Sequence, residues 1–347
     1  MQEGIKVRIC ISRILMIATL CGILASYLFL RTIYTPLKQT TEPQTISITK
    51  GMSVRGVMAL LKEQKILNDF QTKAFFIWVK LNNVEKNLKA GTYILQGKLS
   101  LNQIMNILVS GKEAQFELMV IEGDTVADFK AQLVKHPAIL KTIGSMSDKA
   151  LAKLLGSSYE NLEGVLFPDT YHFPKNTPDT IILKLSYDTM QKHLNKAWDN
   201  RAKHLAVKTP YEALILASII EKESKVAEER AIISGVFHRR LEKNMRLQAD
   251  PTVRYGMPAE AEKITRKDLR TKHPYNTYVH KGLPPTPIAL PGLASIQAAL
   301  HPDRSELLYF VAKGDGSHYF SEDLKEHNLA VKKYQLKQKI EEGGLIE

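Results

Sequence analysis

The chain has 347 residues, 44% of them hydrophobic and 24% charged, an ordinary globular composition that excludes a disordered or fibrous protein and leaves room for two cores. Lys and Arg number 48 against 36 Asp and Glu, a formal charge of +12, so the surface favours a polyanion: nucleic acid, anionic lipid or an acidic cell-wall polymer. The only cysteines are Cys10 and Cys21, which excludes a disulfide framework and a thiolate metal site. No H-E-x-x-H, G-x-G-x-x-G or P-loop occurs, so neither a metal nor a nucleotide cofactor is expected.

Residues 14–30, ILMIATLCGILASYLFL, carry no charge and lie between Arg13 and Arg31; as a helix they span about 25 Å, just enough to cross a bilayer. A cleaved signal peptide has the same charged start and apolar middle. No clear small-x-small cleavage site follows, so an uncleaved anchor is expected. Lys6, Arg8 and Arg13 precede the run, while Arg31 and Lys38 follow it. By the positive-inside rule the N-terminus is then cytoplasmic and the rest of the chain lies outside.

Residues 32–45, TIYTPLKQTTEPQT, read as a polar spacer, with folded material expected from Ile46. From there a unit of apolar strand, Gly turn, hydroxyl cap and apolar helix recurs at 46–61, 93–108 and 119–133. Gly51, Gly97 and Gly123 fall at the turns, and Ser53, Ser100 and Thr125 at the caps. Gln103, three residues after Ser100, completes a capping box. Two strands and two helices between 46 and 108 make a small α+β module. Such repetition suits a binding module but names no ligand.

A larger region extends from about 116 to 334. Its clearest helix starts at TPYEALILASIIEKES, with Thr209 as cap, Pro210 at the first helical position and Glu212 at the third. Apolar residues cover nearly every face from Ala213 to Ile220, which describes a buried helix. Glu221 is the first charge after that run. A second helix is expected over 226–243, amphipathic through Ile232, Ile233, Val236, Phe237 and Leu241, with Glu228 and Glu229 favourable at its start.

Two accounts of Glu221 compete. In one, Glu221, Lys225 and Glu229 form a solvated ladder at i, i+4 spacing, worth a few tenths of a kcal/mol per pair. In the other, apolar surroundings raise the carboxyl's pKa toward neutrality and make it a general acid. Glu223 cannot share that role with Glu221, because two positions place it about 200° round the helix. Residues 246–256, 273–292 and 316–320 are loop-like stretches dense in Tyr, Asn, Gln, His and Pro. Such segments suit a cleft that stacks sugar rings and hydrogen-bonds their hydroxyls, although a turn-rich surface with structural Tyr has the same composition.

The segments EGVLFPDTY (163–171), ASIIEKE (217–223), LQADPTVRYG (247–256), YNTY (275–278), GLPPTPI (282–288), HP (301–302), LYFVAKGDGSHYF (308–320) and HN (327–328) follow one another behind a single apolar span. In this order they closely resemble the MltG, or YceG-like, endolytic peptidoglycan transglycosylases. The resemblance covers the chain from the anchor to about residue 334. His238 and Arg239, and Ala249 where Thr is familiar, are departures that bear on substrate detail.

The resemblance implies an α+β protein: cytoplasmic residues 1–13, a transmembrane helix at 14–30 and a linker at 31–45. A small LysM-like module at 46–115, a mixed α/β catalytic domain at 116–337 and a tail at 338–347 follow. It implies cleavage of nascent glycan strands between N-acetylmuramic acid and N-acetylglucosamine with 1,6-anhydro ends, terminating elongation. It places the catalytic carboxyl on the first Glu of IIEKE, Glu221. A lytic transglycosylase uses the substrate's own 6-hydroxyl as nucleophile, so one carboxyl suffices where ordinary glycosidases need two. Gln248, Asp250, Tyr275 and Asn276 are candidates for holding the sugars or stabilising the transition state, and Asp250 before Pro251 has the alternative of capping a helix. Expected partners are peptidoglycan strands and the membrane, with peptidoglycan synthases a further candidate; no cofactor is implied. A glycan-binding division scaffold that does not cut is the alternative from another class. A nucleic-acid-binding protein is disfavoured by the apolar span and the lack of a recognition motif.

Overall fold

The computed structural model describes residues 2–37, 43–258, 261 and 263–336. Its first element is the helix α1 (Gln2–Tyr34). Within it, Ile11–Tyr34 is long and apolar enough to cross a membrane, with mean hydropathy 2.0, and most of its side chains are exposed, Ile33 near its end being buried.

The chain divides into two compact units. One comprises Met1–Phe116 with Phe173–Lys175, the other Glu117–His172 with Asn176–Glu347. In the first unit, β1 (Gln44–Ile48) precedes α2 (Val54–Glu63), α3 (Asp69–Leu81), β2 (Gly91–Leu95) and α4 (Leu101–Ser110). The strands pair antiparallel, Ile46 opposite Tyr93. Side chains therefore alternate, so Ile46, Ile48, Tyr93 and Leu95 enter the core with Val57, Leu61, Phe75, Ile104 and Leu108. The expected caps all form: Ser53 accepts from the Gly56 N–H, and Ser100 and Gln103 close a reciprocal box. The helix α3 was not expected; Asn68 and Gln71 cap it with a second box, and its mixed aromatic and Lys sequence lacks a plain apolar repeat. The expected spacer also proves partly structural. Ile33 and Leu37 are buried in this core, and the Leu37 N–H donates to the Leu99 carbonyl at 2.9 Å. Residues 38–42 of the spacer and the tail from 338 lie outside the described residues.

The second unit continues from β3 (Gln115–Met119), which begins at its border, through α5 (Val126–Lys135), β4 (Ile139–Leu140), α6 (Asp148–Leu155), β5 (Thr170–Pro174) and β6 (Thr177–Pro178). Then come α7 (Asp179–Asp199), α8 (Pro210–Glu223), α9 (Arg230–Glu242), α10 (Asp250–Tyr255), α11 (Leu293–Leu300), β7 (Tyr309–Ala312), β8 (His318–Ser321) and α12 (Leu324–Val331). Gly123 turns the chain into α5 at φ +86°, a left-handed conformation that favours glycine. Thr125 and Asp128 then close a capping box.

At the centre is α8. Thr209 accepts from the Glu212 N–H, Pro210 occupies the first turn, and every residue from Ala213 to Ile220 is buried, as a helix apolar on all faces requires. It packs chiefly on α11, and the Ser218 hydroxyl accepts the Ile288 N–H at 3.0 Å. The next helix departs from expectation in two ways. A 3-10 turn, Ala227–Glu229, precedes it, and it buries His238 and Arg240 beside its apolar residues. His238 and Arg239 are internal staples. The His238 ring bonds the Ala206 N–H and the Ala299 carbonyl, while the Arg239 guanidinium reaches the Leu307 and Asp303 carbonyls.

Candidate active site

The helix α8 stops at Ser224, whose φ of −135° and ψ of 133° are extended. That stop ends the proposed charge ladder, because Glu221, Lys225 and Glu229 no longer share one helix face. Glu229 is buried. Its carboxylate accepts the Ser224 hydroxyl, the His318 N–H at 2.8 Å and the His318 ring at 2.7 Å. Burial pushes the Glu229 carboxyl up, but these His318 contacts outweigh it and hold it below its usual value.

The last turn of α8 carries two carboxyls on opposed faces. The Glu221 side chain is 5% exposed and is clamped by the Arg230 guanidinium at 3.1 Å and the Gly292 N–H at 2.9 Å. Gly292 is the N-cap of α11, a position where negative charge is favourable. Glu122 crowds the same point: a Cβ on Gly292 would lie 1.8 Å from a Glu122 carboxyl oxygen. Burial, then the Glu221 charge, raise the Glu122 carboxyl. Glu221 is thus a partner in an ion-paired cluster.

Glu223 faces a different environment, a polar cleft of about 370 Å³. The cleft is lined by Arg240 of α9, Gln248 and Asp250 at the start of α10, Tyr278, Tyr309 of β7, His318 of β8, and His327 and Asn328 of α12. Burial, then the nearby Asp250 charge, push the Glu223 carboxyl up to about 8 against the pull of Arg240. That shift favours the protonated, proton-donating form near neutral pH, with Asp250 and the Arg240 guanidinium in the same cleft. Arg240 is fixed by donating to the Leu308 and Leu247 carbonyls at 2.8 and 2.7 Å and lies over the Tyr309 ring. The Tyr278 hydroxyl donates to Asp250 at 2.6 Å, and His327 stacks on Tyr309.

The expected site residues separate accordingly. Gln248 and Asp250 meet in the cleft with Glu223; Glu221, Tyr275 and Asn276 do not line it. Asp250 is no helix cap, since the N-cap position of α10 belongs to Ala249. Gln248 adopts φ +52°, strained for a non-glycine residue. Thr277 maintains it by accepting the Gln248 N–H with its carbonyl and the Ala249 N–H with its hydroxyl. Asn276 is 2% exposed, and its amide donates to the Asp268 and Thr271 carbonyls while accepting the Tyr278 N–H. Every arm of that amide serves the loop that presents Tyr278. Tyr275 bonds Thr286 and packs beside Tyr255, whose hydroxyl donates to the buried Glu163. Burial lifts Glu163 to about 7 despite that bond and one from the Val126 N–H.

Glu223, which sequence reasoning set aside, is the carboxyl of this turn that lines the cleft. A run apolar on every side gives no indication of which face of the following turn meets a cleft. Tyr278, His318, His327 and Asn328 lay inside the quoted motifs without an assigned role. Among the described residues there is no group of His, Cys, Asp and Glu suited to a metal ion.

An α+β chain with a protonated carboxyl in a polar, aromatic-walled cleft is similar to known proteins over most of its length. A profile of the YceG-like family matches residues 46–333. An endolytic murein transglycosylase of Bacillus subtilis is 33% identical over 330 residues, covering 89% of this chain and 90% of the relative. One from Streptococcus pneumoniae is 28% identical over 323 residues, covering 83% of this chain but 57% of the longer relative. A crystal structure of a YceG-like protein from Listeria monocytogenes aligns with TM-score 0.51 and 32% identity, over 84% of this chain and 99% of that one. The chain belongs to the YceG-like family.

Proposed function

We propose that this protein is an endolytic murein transglycosylase anchored through α1, and that Glu223, rather than Glu221, is its general acid. The observation that carries the assignment is the cleft itself. It places a carboxyl raised to about 8 beside Asp250 and Gln248, while Glu221 is bound to Arg230. The names of the Bacillus and Streptococcus relatives support the reaction class.

The chemistry follows from one acid. Glu223 gives its proton to the glycosidic oxygen between N-acetylmuramic acid and N-acetylglucosamine as the bond from that oxygen to C1 breaks. The muramic 6-hydroxyl attacks C1, forming the 1,6-anhydro ring, and its proton passes to the Glu223 carboxylate, which restores the acid. Asp250, oriented by Tyr278, has the sign needed to stabilise positive charge developing at C1. Tyr309 offers an aromatic wall, and Gln248 and Asn328 offer amides for sugar hydroxyls.

The first unit suits a LysM-like glycan-binding role because two antiparallel strands flank two helices in one small core. The charge flanks of α1 favour a cytoplasmic N-terminus and catalysis outside the membrane. Synthases that make the glycan strands are the partner class this placement suggests. The test is product analysis: full-length protein incubated with purified peptidoglycan should release 1,6-anhydro-ended fragments, and Glu223→Gln should not. Glycan binding without anhydro products would favour a scaffold. Activity abolished by Glu221→Gln but kept by Glu223→Gln would reverse the assignment.

A further inference from the structure

The first unit exposes three large apolar side chains on α3: Phe70, Ile77 and Leu81 are 65%, 49% and 65% accessible. At 3.6 residues per turn they fall within about 40° of one another, so they form one stripe along the helix. Solvent-facing stripes of this kind mark an interaction surface. Phe75 and Val79, about 120–180° from the stripe on the wheel, are buried in the core, and Ala74, at the stripe's edge between Phe70 and Ile77, is buried as well, so the three large exposed side chains border the face that folding uses.

What lies beside the stripe identifies its partner. Trp78, about 60° beyond Leu81 on the wheel, packs on the end of α1 with its ring 6.3 Å from Phe29 and 5.7 Å from Tyr34. At the other end of α3, its N-cap Asn68 with Phe70 and Gln71 of the first turn borders one groove with Leu28 and Arg31 of α1 and Thr35 just after it. Both the start of α3 and Trp78 thus meet the last two turns of the segment able to cross a membrane. Tyr and Trp at this junction are residues that favour the boundary between lipid and water. Lys65, Lys73 and Lys80 lie close by on α3 or before it, with stems long enough to reach headgroups while apolar neighbours enter the acyl region.

We propose that α3 lies on the bilayer that α1 crosses, inserting Phe70, Ile77 and Leu81 into its surface, so that the membrane-proximal unit is held by two elements. This rests on the reading of α1 as an anchor. It gives the module a fixed attachment to the lipid surface in place of a swivelling stalk.

The experiment uses full-length protein, with Cys10 and Cys21 replaced by Ser, reconstituted in phosphatidylcholine and phosphatidylglycerol vesicles. An environment-sensitive dye is attached at Ile77→Cys, at Glu63→Cys on α2, or at Ile17→Cys within α1. Expected are a blue shift and quenching by doxyl-labelled lipid at positions 17 and 77, with neither at 63. Quenching at 17 but not at 77 overturns the α3 contact and leaves the anchor intact. Loss of quenching at both overturns the anchor reading and this inference with it. A blue shift at 77 without lipid quenching assigns the stripe to a protein partner and also overturns the proposal. A second variant, Phe70→Ser with Ile77→Ser and Leu81→Ser, should leave position 17 quenched while dye at Lys73→Cys, about 40° from Ile77 on the wheel, becomes more accessible to an aqueous quencher; unchanged access there would overturn the α3 contact.

Discussion

Glu221 and Glu223 sit two residues apart in the final turn of α8 and serve different neighbours. Glu221 is held by Arg230 and the Gly292 N–H, whereas Glu223 opens on the cleft of Asp250 and Gln248. Two positions are about 200° of helix rotation, so one buried helix delivers one carboxyl to an ion pair and the other to the cleft.

Glu223→Gln should preserve the fold and lower release of anhydro-ended fragments by about two to four orders of magnitude, the usual weight of general acid catalysis. Glu221→Gln should behave in the opposite sense. It leaves Arg230 without its charge partner in a largely enclosed site, costing about 1–3 kcal/mol, while turnover per folded molecule changes little. Thermal denaturation paired with fragment release separates the two.

The pH profile should report the raised acid. With Glu223 at about 8, kcat/KM should hold through neutral pH and fall as pH rises through that value. Asp250 raises this carboxyl, so Asp250→Asn should move the alkaline limb to lower pH, whatever it does to the maximum. Stability carries the matching sign. The folded state keeps a proton that the unfolded chain loses near the ordinary value of 4.5, so this group's contribution falls between the two values as pH rises. Glu223→Gln should therefore gain stability relative to the parent at pH 9, as read by the denaturation midpoint.

Gln248→Gly should relieve the left-handed strain at φ +52°, a gain of about 1 kcal/mol, offset in part by the greater freedom of the unfolded chain. The lost amide should raise KM for glycan more than it lowers kcat. Steady-state kinetics with a soluble glycan measures that split.

Asn276→Ala should act on folding. It removes two donors and one acceptor that brace a buried loop, costing about 2–3 kcal/mol. KM should stay near the parent value in molecules that remain folded, since the amide does not line the cleft. A large rise in KM with unchanged stability would restore the sugar-contact role.

Local chemistry determined much of this protein from sequence alone. The apolar run from Ile14 fixed a helix able to cross a bilayer, Thr209 and Pro210 fixed where α8 begins, and the hydroxyl caps Ser53, Ser100 and Thr125 fixed three further helix starts, because each signal acts within a few residues of itself. Motif order also led to the family. The sequence could not orient the end of α8: with Ala213 to Ile220 apolar on every side, there was no polar face from which to tell Glu221 from Glu223. Tertiary structure gives the two different surroundings by bringing Arg230 and the start of α11 to one side and Asp250, Tyr278 and Tyr309 to the other. The same long-range packing turned Asn276 inward and drew Ile33 and Leu37 into a core, since burial depends on neighbours far away in the chain.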